Sequence, residues 1–121
     1  RRPRRNRNSA AVRDLVRETS LNLHNLVFPL FLVDGSNQRI EISSMPGIFR
    51  LSPDLILKEV EECMNLGISS FVLFPAVEES LKDKEATYSW NKDNFYLKTI
   101  RDLKKLFPEC FIITDVAMDP Y

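Results

Sequence analysis

Two carboxylates, Asp115 and Asp119, stand four residues apart at the end of the apolar run Phe111-Ile112-Ile113-Thr114. An ionised carboxylate closing an apolar strand is costly unless something partners it. Two such groups near one site can orient an amine, exchange protons as acid and base, or hold Mg²⁺. The same spacing also suits a helix N-cap at Asp119 and a loop-fixing hydrogen bond at Asp115. Spacing alone does not choose between them. The other reactive side chains are more isolated. His24 is the only histidine and lies beside Asn22 and Asn25 in a turn-like stretch. With no triad or metal partner in view, it reads as a surface or structural residue. Cys63 falls on the apolar stripe of a helix and Cys110 opens a strand. Neither has Cys-x-x-Cys spacing, so both read as packing residues. Tyr88 and Trp90 lie in a long charged loop, where a lid, an interface or docking on their own domain would each use them.

The elements that position these groups follow from hydrophobic spacing and end signals. Ser9 can cap a helix over Ser9–Thr19, with Val12, Leu15 and Val16 as a narrow apolar stripe. Leu26–Val33 reads as a strand buried on both faces, in which Pro29 demands a bulge or an end position. Asp34-Gly35 supplies a turn. Ile40 and Ile42, alternating with Arg39 and Glu41, predict a short half-buried hairpin strand. Ser52, Pro53 and Asp54 announce a helix, Ile56, Val60, Cys63 and Met64 give its stripe, and Gly67 suits its left-handed end. Ile68–Phe74 is a second apolar strand ending at Pro75. The charged stretch 78–93 is long for a loop without structure, and such loops are functional or mobile. Tyr96, Ile100, Leu103 and Phe107 mark another amphipathic helix, stopped by Pro108. The third strand is expected from Cys110 to Val116.

Buried strands alternating with amphipathic helices mean βαβ units on a parallel sheet with right-handed crossovers. An open doubly wound sheet and the first part of a (β/α)8 barrel both fit. The chain has three glycines and no Gly-x-Gly-x-x-Gly or Walker loop, which removes the phosphate-cradle argument for a nucleotide-binding sheet. The strands recur about every 42 residues, so eight units would take roughly 340 residues, within barrel range. The barrel is favoured. In either architecture the working groups gather at the C-terminal ends of the strands.

An apolar content of 44% is enough to bury a core, so wholesale disorder is excluded. No apolar run is long enough to span a bilayer, and nothing reads as a signal peptide. Two cysteines make no disulfide framework and suit a reducing compartment, so the expected location is the cytosol. The net charge of zero hides an asymmetry. Residues 1–17 carry seven arginines and one acid, which leaves ten basic and sixteen acidic side chains on the remainder. The arm could neutralise phosphates, engage an acidic protein surface such as a sister subunit's, or remain a solvated tail. No aromatic interleaves its arginines, so it offers no stacking platform for bases. The chain opens on Arg1 and stops at Tyr121 just after a strand, so the expectation is a piece of something longer.

Several segments, in order, resemble one family. The arm Arg1-Arg2-Pro3-Arg4-Arg5-Asn6-Arg7, the stretch Val12 to Thr19, and Phe28-Pro29-Leu30-Phe31 look like the start of the porphobilinogen synthases, or δ-aminolevulinic acid dehydratases. Ser44-Met45-Pro46-Gly47-Ile48-Phe49-Arg50 resembles that family's S-[ML]-P-G-[VI]-x-R motif. Leu73-Phe74-Pro75 and Thr114 to Tyr121 are similar to its second and third barrel strands. The resemblance spans essentially the whole chain, and it is the order and spacing of the motifs that make it specific.

The resemblance implies an α/β fold: the N-terminal βα units of a (β/α)8 TIM barrel, with an extended N-terminal arm. Residues 1–20 would be the arm and short helix for oligomer contact, and 21–121 the first three strands and two helices of an incomplete barrel. It implies condensation of two 5-aminolevulinate molecules into porphobilinogen, in tetrapyrrole (haem) synthesis, by a lyase assembled as a homo-oligomer, commonly an octamer. Asp115 matches the active-site aspartate that handles a substrate amino group. Phe74 matches an aromatic lining residue, and Asp119 would belong to the site mouth. The charged loop 78–93 is expected near that mouth. Two Schiff-base lysines are implied on later strands; Lys82, Lys84, Lys92, Lys98, Lys104 and Lys105 match neither, so this chain alone is expected to be inactive. Zinc-type members carry a Cys-x-Cys pair where Ala117 and Asp119 stand. Thiolates suit Zn²⁺ and carboxylates suit Mg²⁺, so an allosteric Mg²⁺ is expected in place of an active-site Zn²⁺, with a bacterial cytoplasmic or plastid-like location. A rival expectation, from the residues alone, is a non-catalytic α/β binding module using its arginine arm on RNA or an acidic partner.

Overall fold

The computed structural model describes residues 4–117 and 120. Strands β1 (Phe28–Val33), β2 (Arg39–Glu41), β3 (Phe49–Leu51), β4 (Ser70–Ala76) and β5 (Phe111–Thr114) form one sheet in the order β2-β3-β1-β4-β5. β1 and β4 pair in parallel over their length, from Phe28↔Phe71 to Val33↔Ala76. β5 extends the sheet in parallel, from Ser70↔Phe111 to Leu73↔Thr114. Helices α1 (Ala10–Leu15), α2 (Pro53–Asn65) and α3 (Phe95–Leu106) complete the regular structure, apart from short 3₁₀ turns. The strand-helix-strand-helix-strand order expected from the sequence is present, with β2 and β3 inserted between β1 and α2.

Alternation along the strands makes two faces. Leu30, Leu32, Phe71 and Leu73 are buried in one cluster with Ile56, Val60 and Cys63 of α2 and Phe95, Tyr96 and Leu103 of α3. Burying a side chain such as Ile56 or Val60 contributes about 1.5–3 kcal/mol. The opposite face carries the half-buried Phe31, Val33, Val72 and Phe74.

The end signals of α2 are realised unevenly. Pro53 sits at its start and Gly67, at φ +93°, lies just past its end. A Cβ at Gly67 would also meet Leu23 at 3.1 Å. Ser52, however, does not cap α2 with its side chain. Its hydroxyl accepts the Gln38 N–H at 2.9 Å and donates to Asp54 at 2.6 Å, tying the loop after β1 to the start of α2.

Three expectations are revised in extent, and that for Pro29 is narrowed to one of its two alternatives. The first helix is shorter than Ser9–Thr19: Ser9 caps it through the Val12 N–H at 3.3 Å, but it stops at Leu15. Leu15 is 85% exposed, so its apolar stripe has no strong hold within this chain. Ile40 lies exposed on β2, and the hairpin partner is β3, whose three residues carry no strand signal of their own. Arg39 lies 4.0 Å over the Phe49 ring across this hairpin. Pro29 takes the end position: β3 meets β1 only at Phe31 and Leu32, above the proline. The charged stretch 78–93 is not structureless, because Glu79–Leu81 and Thr87–Trp90 form 3₁₀ turns.

Candidate active site

The C-terminal ends of β1, β4 and β5 share one rim of the sheet, because all three run parallel. Phe74 is half-buried there, with its ring 5.5 Å from that of Phe31 at an interplanar angle of 25°. The two are register partners on adjacent strands. Phe31 was not singled out from the sequence, yet a signal existed: Leu30-Phe31 and Leu73-Phe74 repeat the same pair at the same height.

Asp115 follows Thr114, whose register partner is Leu73. It therefore leaves β5 at the level where β4 presents Phe74. β5 ends one residue earlier than the expected carboxylate position, and Asp115 is exposed in this chain. The desolvation argument from the sequence does not apply to it here. Asp115 and Ala117 line a cavity of about 300 Å³ with Ser89, Tyr96, Leu97 and Ile100. Asp119 lies outside the described residues, as do Arg1 and Arg2 of the arm. A larger cavity, about 530 Å³, contains none of the expected site residues. It runs beside Phe28–Leu30, where β1 has no partner on the β3 side, and faces Lys58, Glu59 and Glu62 of α2. An unpaired strand edge, not a reaction site, explains it.

The loop over this rim is anchored at its end. Asn94 is fully buried, donates its side-chain amide to the Tyr88 carbonyl at 2.9 Å, and accepts the Tyr96 N–H at 2.8 Å to cap α3. The Tyr96 hydroxyl donates to the Leu73 carbonyl at 3.2 Å. Trp90 of the same loop is exposed. Asp83 organises the loop by accepting the Glu85 and Thr87 N–H groups at 3.0 and 2.9 Å. The Thr87 backbone bond, foremost, holds its carboxyl below the usual range.

The residues do not fit a thiolate zinc centre. Ala117 brings no donor, and Cys63 and Cys110 are buried free thiols in the core, pushed up from the usual thiol range chiefly by burial. Among the described residues no three His, Cys, Asp or Glu side chains gather as metal ligands. His24 is exposed in a 3₁₀ turn, in keeping with a surface residue. No described helix is long and apolar enough to cross a membrane.

Parallel strands, crossover helices on one face and a strand-end rim define this molecule as a parallel α/β scaffold whose one-sided helix layer matches that of a barrel. The delta-aminolevulinic acid dehydratase family model matches residues 1–121, and the chain belongs to that family. It is 46% identical over its whole length to the delta-aminolevulinic acid dehydratase of Chlamydia pneumoniae, covering 36% of that protein. It is 45% identical to the Bradyrhizobium diazoefficiens enzyme, covering 34% of it, and 45% identical to the chloroplastic enzyme of Hordeum vulgare, covering 28%. Its fold matches the Toxoplasma gondii delta-aminolevulinic acid dehydratase (porphobilinogen synthase) crystallised with the reaction product porphobilinogen. There the TM-score is 0.92 at 45% identity, over 100% of this chain and 34% of that one. The chain thus spans about a third of these relatives and is the N-terminal portion of a TIM-barrel fold. In such a barrel the helices lie outside, so the face bearing Phe31 and Phe74 turns inward.

Proposed function

We propose that this chain is the N-terminal third of a porphobilinogen synthase, which condenses two 5-aminolevulinate molecules into porphobilinogen with loss of water. The observation that carries this is the family match over residues 1–121, joined to a site rim where Phe74 of β4 and Asp115, just past β5, stand at one level on adjacent strands. Asp115 orients the substrate amino group, Phe74 with Phe31 forms an apolar wall, and Asp119 belongs to the mouth. The Schiff-base lysines come from strands outside this chain. Such lysines need a neutral amine, hence a lowered pKa, to attack a ketone. Residues 1–121 alone are therefore inactive.

The arginine arm of residues 1–20 serves assembly of a homo-oligomer, an octamer for the complete enzyme, not nucleic-acid binding. The exposed Leu15 of α1 and Val16 at its C-cap support that reading, since neither is covered among the described residues. Mg²⁺, acting allosterically, replaces active-site Zn²⁺, as the donor chemistry of Ala117 and Asp119 suggests. The protein works in a bacterial cytoplasm or a plastid-like compartment, with relatives in bacteria and chloroplasts supporting both.

The test uses the longer gene product. It is incubated with 5-aminolevulinate after chelation, then with Mg²⁺ or Zn²⁺ restored, and porphobilinogen is read colorimetrically. Product restored by Mg²⁺ and not by Zn²⁺ is the expected result. A folded oligomer that makes no product under any metal condition would refute the enzyme reading, and recovery by Zn²⁺ alone would refute the metal assignment.

A further inference from the structure

We propose that Tyr96 is a positioning residue for Asp115, an inference that rests on the reading of Asp115 as the amine-orienting carboxylate. The sheet alone does not fix that carboxylate. The last ladder pair of β5 is Leu73↔Thr114, and Asp115, Val116 and Ala117 continue as irregular chain. Among the described residues, what supports the end of β5 beyond its ladder with β4 comes from the layer packed against it.

Tyr96 is in the right place. Its buried ring lines the same cavity of about 300 Å³ as Asp115 and Ala117. Its hydroxyl donates to the Leu73 carbonyl at 3.2 Å, one peptide before Phe74 and directly across from the residue that precedes Asp115. The backbone that carries the ring is anchored, because the Tyr96 N–H is bound by the fully buried Asn94 side chain at 2.8 Å. Asn94 in turn grips the Tyr88 carbonyl at 2.9 Å, so the loop, the start of α3 and the rim of β4 are one hydrogen-bonded unit. Through it Tyr96 sets the height at which β4 and β5 part, and hence where both Phe74 and Asp115 stand. Small displacements of a catalytic group are expensive: about 1 Å can cost roughly a hundredfold in rate.

The test is a double-mutant cycle in the complete enzyme. Tyr96→Phe removes one oxygen and is expected to lower kcat about tenfold, with assembly intact and the melting temperature lowered by only a few degrees, the cost of one buried hydrogen bond. In the Asp115→Asn background the same substitution is expected to cost less than about twofold, because the group it positions is already disabled. Amide exchange is expected to quicken over residues 114–117 and to stay unchanged in β1. Wild-type kcat in Tyr96→Phe, a loss that multiplies fully with that of Asp115→Asn, or loss of folded oligomer on Tyr96→Phe would each overturn the proposal. Full activity in Asp115→Asn itself would instead overturn the underlying site reading, and the two failures are thereby told apart.

Discussion

Replacing Ser52 by alanine should open the loop after β1 without loosening the sheet. Ser52 is fully buried, accepts the Gln38 N–H at 2.9 Å and donates to Asp54 at 2.6 Å. Asp54 also accepts the Asn37 N–H, at 3.1 Å to each oxygen, and Asn37 holds the left-handed φ of +53°. Ser52→Ala strips a half-buried N–H of its partner, a loss of about 1–3 kcal/mol when nothing replaces it. Asp54 regains water, so its side of the loss is small. The net cost is about 1–2 kcal/mol, or roughly 5- to 30-fold in local opening. Hydrogen exchange on the complete protein reads this directly, as faster exchange at Asn37 and Gln38 with β4 amides unchanged. Unaltered exchange at those two residues, or an equal loss in β4, would refute the clasp. The pH dependence has a definite sign. The Ser52 hydroxyl foremost, with the Asn37 N–H, holds the Asp54 carboxyl below its ordinary value against a weaker opposing effect of burial. A group depressed in the folded state stabilises it above the ordinary carboxylate range, and that stability is lost as pH falls through the lowered value. The loop should therefore stay closed through mildly acidic pH, and Ser52→Ala should shift its acid opening to higher pH.

Three further outcomes are expected. Leu103 is fully buried and Leu106, three residues on, is 57% exposed. Leu103→Ala should cost about 2–5 kcal/mol in denaturant unfolding and Leu106→Ala about 0.5 kcal/mol or less; equal losses would contradict the packing of α3. If the α1 stripe seats on a sister subunit, Leu15→Asp with Val16→Asp should move the complete protein to smaller assemblies in light scattering, with its circular dichroism intact. Asp115→Ala in the complete enzyme should lower turnover at least a hundredfold while shifting the melting temperature little, because the residue is exposed. A matching loss of folded protein would make Asp115 structural.

The parts of this fold legible in the sequence are those fixed by local chemistry, and the parts that were not are those fixed by a neighbour. Helix α2 could be read almost to the residue because Pro53 and Gly67 act on their own backbone, and its stripe needs only an apolar surface to meet. β3 had no such signal. Phe49-Arg50-Leu51 is too short to alternate, and it is a strand only because β2 pairs with one edge and β1 with the other. The type of Ser52 permits a capping role, but its hydroxyl donates a hydrogen bond to Asp54, two residues on, and its oxygen accepts the N–H of Gln38 fourteen residues back in the chain. β5 was read too long for the same reason in reverse: nothing in Asp115 or Val116 forbids a strand, but the paired stretch of β4 ends for it at Leu73. The site divides along this line. Asp115 and Phe74 were visible as residue types at strand ends, whereas Phe31 and Tyr96 acquire their place only through register and a long-range hydrogen bond. Asp115 is found by its type at a strand end, whereas Tyr96 is found only through the Leu73 carbonyl it binds, beneath the rim on the first turn of α3.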